Sequence, residues 1–192
     1  MLMPLVTSRL LLRPWQPTDG QALLALIDAE RPRILADFPN TTAAVQDLSS
    51  ADEFISRKRQ EWEQHQAFQL SIWLRETEQL LGFISFKPVD WSVPKSELAY
   101  LVAAGYEGRG LMTEAGLATL QWGFEELGLA RVFCYIKPQN ARSLALAKRL
   151  GFQTEGLLRG NFRSGTGQLT DSVVCGLLNP ATVLPPAGTA PF

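Results

Sequence analysis

A chain of 192 residues with 46% hydrophobic and 19% charged side chains can fill one sizeable core and lacks the composition of a disordered polypeptide. Its formal net charge of -1 gives no basic field to hold nucleic acid or an anionic membrane. No apolar run approaches the ~20 residues that cross a bilayer.

The first segment, MLMPLVTSRLLLRPW, has no basic region and no small-residue cleavage site, so it does not read as a signal peptide. Arg9 to Arg13 is an apolar run that Pro14 ends, which predicts a first strand. Thr18-Asp19-Gly20-Gln21 fits a capping box, and Leu23, Leu24, Leu26 and Ile27 follow at helical spacing. Arg31 to Ala44 carries two prolines without clear period and reads as a loop or a broken helix. Ser50 and Glu53 open a second helix with Phe54, Ile55, Lys58 and Trp62 on neighbouring turns. From Phe68 the period becomes that of strands: Phe68 to Leu74 and Leu80 to Lys87 form a hairpin across Arg75 to Gln79. Glu97 to Val102 is the next strand, with Glu97, Ala99 and Leu101 on one face and Leu98, Tyr100 and Val102 on the other.

A glycine-spaced loop then leads into a helix, Leu111 to Leu127, that Gly128 terminates. Arg131 to Ile136 is a strand and Asn140 to Leu150 a helix ended by Gly151; Phe152 to Phe162 and Thr170 to Leu178 form a last pair. Cys134 and Cys175 lie in these apolar runs and read as free buried thiols of a cytoplasmic protein. The single domain spans 1–178, and 179–192, with four prolines, reads as an irregular tail. The later strand–helix–strand unit needs a crossover, so the order describes an α/β (α+β mixed) sheet with helices on both faces.

Ala104 to Ala115 reads AGYEGRGLMTEA. Glycines between a strand and a helix N-terminus let several backbone N–H groups point at one anion, to which the helix adds about half a positive charge. A P-loop would need Lys-Ser or Lys-Thr, and none follows. A dinucleotide fingerprint would need a third glycine where Thr113 stands. The remaining pattern is the pyrophosphate loop of coenzyme A, beside the alternative of a glycine turn with no ligand.

Together with NARSLALAKRLGF at Asn140 to Phe152, the loop resembles the GNAT acetyltransferase superfamily, in particular its ribosomal-protein N-terminal acetyltransferase (RimJ/RimL-like) branch. Thr7 to Asp19, the acidic Glu97, Gly151 to Phe162 and Asp171 match the same branch, so the resemblance spans about Thr7 to Leu178. It implies a mixed, mostly antiparallel sheet of about seven strands, splayed in the middle. It also implies acetyl-CoA as cosubstrate, with Leu101 and Val102 offering backbone groups to the pantetheine arm. Gly108, Arg109, Gly110, Leu111, Met112 and Thr113 would cradle the pyrophosphate, with Asn140 and Ser143 beside the thioester. Two positions depart from the superfamily: Gly105 replaces a Gln or Arg, and Ala147 replaces a tyrosine acid, which leaves Ser143 as proton donor.

Acetyl transfer needs a neutral amine. Deprotonation at pH 7 costs about 1.4 kcal/mol for an α-amino group and about 4.6 kcal/mol for a lysine, which favours a protein or peptide N-terminus as acceptor. Glu97 is the candidate base and would need burial to raise its pKa; otherwise it only orders solvent. Ser143 donates to the leaving thiolate or merely caps its helix. His65 reads as a surface residue, and no metal site is expected. Trp91 is a candidate lining for the acceptor pocket, and Arg159 and Asp171 a candidate structural pair. The open alternatives are a small-molecule amine acceptor, a non-catalytic acyl-CoA-binding module and, from outside this class, a nucleotide-dependent oxidoreductase. Nucleic-acid and membrane partners are not expected, and a homodimer is compatible with the reading.

Overall fold

Strand and helix periods alternate along the chain as the sequence predicts, and the computed structural model, which describes residues 4–182, closes them into one eight-stranded sheet. The elements are β1 (Leu5–Val6), β2 (Leu10–Pro14), α1 (Gly20–Ile34), α2 (Pro39–Ala44), α3 (Leu48–Glu63), β3 (Phe68–Leu74), β4 (Gln79–Asp90), β5 (Lys95–Val102), α4 (Leu111–Glu125), β6 (Arg131–Ile136), α5 (Ala141–Arg149), β7 (Gln153–Arg163) and β8 (Leu169–Leu178). The sheet order is β1-β2-β3-β4-β5-β6-β8-β7, antiparallel throughout except for β5 and β6. The expected seven strands are all present. The eighth is β1, a two-residue strand paired with Leu11 and Leu12 and too short to show a period.

Two local expectations change, and a third resolves to one of its alternatives. Thr18 to Gln21 is not the capping box; Gln16 and Asp19 form it around a short 3-10 turn, and α1 begins at Gly20. Asp19 is buried and holds Arg13 with two hydrogen bonds at 2.7 and 2.9 Å, which draws its carboxylate away from Gln21. Likewise Ser50 and Glu53 do not open α3. Asp47 caps it, accepting from the Ser50 N–H at 2.8 Å, because Leu48 to Ser50 already belong to its first turn. The segment Arg31 to Ala44 is a broken helix: α1 runs through Pro32 to Ile34 and α2 follows. The α1 stripe Leu23, Leu26, Ile27 and Ile34 is buried to 6% exposure or less. Burying four large apolar side chains at about 1.5–3 kcal/mol each outweighs the ~3 kcal/mol that an interior proline costs.

Two apolar clusters cover the sheet. Leu98, Leu111, Ala115, Leu120, Val132, Cys134, Ile136, Leu146 and Leu150 belong to one, which seats α4 and α5. Leu23, Ile27, Ile34, Phe54, Ile55, Phe83 and Leu101 belong to the other, which seats α1 and α3. Trp62 stacks on Trp122 with ring centroids 5.4 Å apart, and Phe68 stands edge-on to both. The 179–192 tail falls largely outside the described residues. Its first residue, Asn179, is buried and donates its amide to the Leu129 carbonyl at 3.0 Å.

Candidate active site

The parallel pairing of β5 with β6 covers only Lys95 to Glu97 against Arg131 to Phe133. Beyond that point β5 stays with β4, and β6 stays with β8. The strands therefore splay, and two facing edges carry backbone N–H and C=O groups without a ladder partner. Such groups must find water or a ligand with amides of its own.

The two strand positions expected to meet the pantetheine arm behave differently. The Leu101 carbonyl oxygen packs against β4, where a Cβ on Gly82 would stand 1.9 Å from it, so only glycine fits opposite. The Leu101 side chain fills the α1/α3 cluster. Val102 instead presents its carbonyl outward, where Arg33 donates to it at 2.7 Å. Arg33 also pairs with Glu107 at 2.9 Å, and Glu107 pairs in turn with Arg142 of α5. This bridge ties α1 to α5 across the open end of the splay. A cleft of about 520 Å³ lies there, lined by Asp37, Lys137, Asn140 and Arg142 among others.

The glycine loop ends at the N-terminus of α4. Gly108 and Gly110 have φ of 73° and 74°, the left-handed region where a side chain is strained. The first α4 N–H with an intrahelical partner is that of Glu114, which donates to the Gly110 carbonyl at 3.1 Å. The N–H groups of Leu111, Met112 and Thr113 are thus left to point out of the helix end. Leu111 is buried and offers only its backbone. The Arg109 guanidinium lies over the Tyr106 ring at 5.1 Å. Gly105 has no positive φ and a Cβ there would touch nothing, so the backbone does not demand glycine at that position.

The loop is clamped from behind. Glu114 accepts from the Thr7 hydroxyl at 2.6 Å, the Arg9 N–H at 2.9 Å and the Arg9 guanidinium at 2.7 Å, while Arg9 also reaches the Arg109 carbonyl at 2.9 Å. Burial alone would raise the Glu114 pKa, but the donors from Thr7, Arg9 and Ser8 outweigh it and bring it to about 2. The Thr7–Arg9 segment therefore fixes the glycine loop and the start of α4, a contact that its distance in sequence concealed.

On the far side of the splay, Asn140 caps α5 by accepting from the Ser143 N–H at 3.0 Å. Asn140, not Ser143, is the cap, which frees the Ser143 hydroxyl for other work. Ala147 is buried in the α4/α5 cluster. At the fork stands Glu97, the last β5 residue paired with β6, opposite Phe133. Burial raises its pKa, against the counteracting charge of Lys87 across the β4–β5 pair. Phe133 and Tyr135 share the Glu97 face by strand alternation and contact each other edge-on at 5.4 Å. Neither aromatic stands out in the sequence, because an apolar strand run looks the same whether its face is core or cleft.

Other candidates fall elsewhere. Trp91 donates to the His65 carbonyl at 2.8 Å and packs on Phe68, beside the end of α3 rather than the splay. His65 is exposed with φ 54°. Asp171 accepts from the Gly160 N–H at 2.9 Å instead of pairing with Arg159. Cys134 and Cys175 face each other across β6 and β8 as free buried thiols. Among the described residues no helix is long and apolar enough to cross a membrane.

A model of the acetyltransferase (GNAT) domain matches residues 9–153. The chain belongs to the GNAT acetyltransferase family. It is 30% identical over 175 residues to the uncharacterized N-acetyltransferase p20 of Bacillus licheniformis, covering 91% of this chain and 95% of that one. It is 29% identical over 118 residues to the ribosomal protein uS5-alanine N-acetyltransferase of Escherichia coli, covering 61% and 60% of the two chains. The solved structure of RimL, a ribosomal L7/L12 α-N-protein acetyltransferase in complex with coenzyme A, superposes with a TM-score of 0.84 at 17% identity, covering 92% and 98%. The protein is an acetyl-CoA-dependent N-acetyltransferase. The splayed strand edges, the outward Val102 carbonyl and the N–H groups of residues 111–113 suit a ligand that carries amides and a pyrophosphate.

Proposed function

We propose that this N-acetyltransferase acts on the α-amino group of a protein or peptide N-terminus, in one domain comprising 1–178. The observation that carries the reading is a single partly buried carboxylate, Glu97, at the fork of the splay with a raised pKa. One weak base serves an ammonium with pKa near 8 far better than a lysine near 10.4. The uS5-alanine relative acts on a substrate of this class by its name.

Acetyl-CoA supplies an activated thioester carbonyl. The chain's own groups do the rest. The N–H groups of Leu111 to Thr113 hold the pyrophosphate and Val102 receives an amide of the arm, displacing the exposed Arg33 contact. Glu97 takes the ammonium proton, directly or through a water, and Ser143 offers its hydroxyl proton where the thiolate leaves. In balance, a carbon–nitrogen bond forms and a carbon–sulfur bond breaks; the ammonium nitrogen loses two protons, one through Glu97 to solvent and a second that replaces the proton Ser143 gives to sulfur. Asp37 and Lys137 border the cleft and place one anion and one cation beside an incoming chain end. The two free buried thiols accord with a cytoplasmic setting.

Mass spectrometry of products from labelled acetyl-CoA and a panel of free-N-terminus peptides, lysine side-chain peptides and polyamines tests the acceptor. We expect label on α-amino groups. Label confined to polyamines or to lysine side chains would overturn the assignment.

A further inference from the structure

Gln69 of β3 is a polar residue only 8% exposed that takes no part in the chemistry above. Its partner on β4 is Ser85, and the β5 partner of Ser85 is Ala99. Paired residues share a face of the sheet, as do residues two apart on one strand. Gln69, Ser85 and Ala99 therefore point to the same side as Glu97, one row away from it. The alternate row of Phe68, Phe86 and Leu98 faces the α4/α5 cluster instead. At Ala99 the row ends, because β6 has left. Its methyl group, between Glu97 and Leu101, leaves room beside the carboxylate that a larger side chain would fill.

The Gln69 amide has a fixed orientation. The buried Trp15 indole donates to its Oε1 at 2.8 Å. An indole N–H only donates, so the contact decides which end of the amide is oxygen and leaves two N–H groups on Nε2. The Nε2 has no hydrogen-bond partner among the described residues. The unpartnered side-chain atoms sealed from solvent are the Tyr100 and Thr119 hydroxyls and the Trp122 indole; Nε2 is not one of them, so it reaches solvent. Trp15 follows Pro14, which pairs with Leu70 on the β2 side of β3. The anchored oxygen is thus drawn toward β2, which turns the nitrogen toward Ser85 and Ala99. Ser85 does not accept from it; its hydroxyl donates to the Ala99 carbonyl at 3.3 Å.

We propose that Gln69 recognises the acceptor: its Nε2 donates to a backbone carbonyl oxygen of the peptide whose α-amino group stands at Glu97. The inference rests on the α-amino reading and names the residue that sets a peptide end apart from a bare amine. Two strand spacings of about 4.8 Å separate β3 from β5, a gap that the Gln69 side chain and the first residue of a peptide span together. A polyamine brings no carbonyl and would leave the donor stripped of water and unpaired. A site built to meet a hydrogen-bonding group rejects the analogue that lacks it.

Gln69→Met keeps the length of the side chain and removes the donor, but it also orphans the Trp15 indole. Trp15→Phe in the same chain removes that orphan, so the double variant separates a packing effect from a lost substrate contact. The best α-amino peptide of the panel above competes in one mixture with the amine that keeps its first side chain but has no carbonyl. We expect the ratio of kcat/KM, peptide over amine, to fall about 10-fold in Gln69→Met, the effect of one lost hydrogen bond. The ratio should stay down in the double variant. A wild-type ratio in Gln69→Met, or a ratio restored in the double variant, would overturn the inference and leave the α-amino acceptor standing. A wild-type enzyme that labels no α-amino group would overturn both, and the wild-type chain alone tells the two failures apart.

Discussion

Glu97 is held between two demands. Its place at the fork buries it enough to raise its pKa, with Lys87 opposing. A carboxyl whose folded pKa lies above its unfolded value binds protons more tightly in the native state, so its charged form costs stability at neutral pH. The same shift brings it nearer to the pKa of an amine and makes it a better base. Glu97→Gln should therefore raise Tm at pH 7 while lowering kcat/KM about 100-fold. The wild-type rate should fall with acidity through a pKa above the ordinary 4.5, and that limb should vanish in the variant. A variant that keeps the acidic limb would assign the base elsewhere. At this scale Glu97, Ser143, Gly108 and Gly110 are legible in the sequence, since their types are tied to chemistry or to a backbone angle. Arg33 and Phe133 are not. Each is an ordinary helix or strand residue whose role comes from what faces it across the splay.

Between elements, the link that most directly serves the site is the one from the Thr7–Arg9 turn to α4. Glu114 collects four donors from Thr7, Ser8 and Arg9, and Arg9 passes the constraint on to the Arg109 carbonyl. With the Glu114 pKa depressed to about 2 from 4.5, the ionised carboxylate binds its donors only in the folded chain, so the clamp contributes stability. The depressed value means that the stability is present above pH 4.5 and is lost as pH falls toward 2. Glu114→Gln should lower Tm at pH 7, with the gap to wild type closing over that window, and should raise the acetyl-CoA KM through a looser loop. Equal Tm values at pH 7 would remove the clamp. Helix and strand existence is readable for every element but β1 and α2, because apolar periods of 3.6 and 2 survive in elements such as α1, α3 and β3. Helix starts are less so. Asp47, Ser49 and Ser50 are all able caps, and the burial of Ala51, Phe54 and Ile55 decides that Asp47 does the work.

For the whole molecule, the splay divides the sheet into a β1–β5 half and a β6–β8 half, joined in the sheet by three residue pairs. A ligand that lies between the halves should couple them. Coenzyme A should slow amide hydrogen exchange in residues 100–113 and 140–143, and leave the exposed β7 edge unchanged. Protection centred on β7 instead would move the site. The sequence by itself determined the order of elements, the glycine loop with its helix end, the capped α5 and, through the two motifs together, the family. All of these are local, written in residues a few positions apart. Only the tertiary structure decided that β5 and β6 part after Glu97, that Val102 rather than Leu101 turns its carbonyl outward, and that Arg33, Glu107 and Arg142 bridge the opening. Those facts depend on which strand edges meet and which are left unpaired. No run of residues along the chain encodes that, because backbone pairing is indifferent to the side chains that one strand displays.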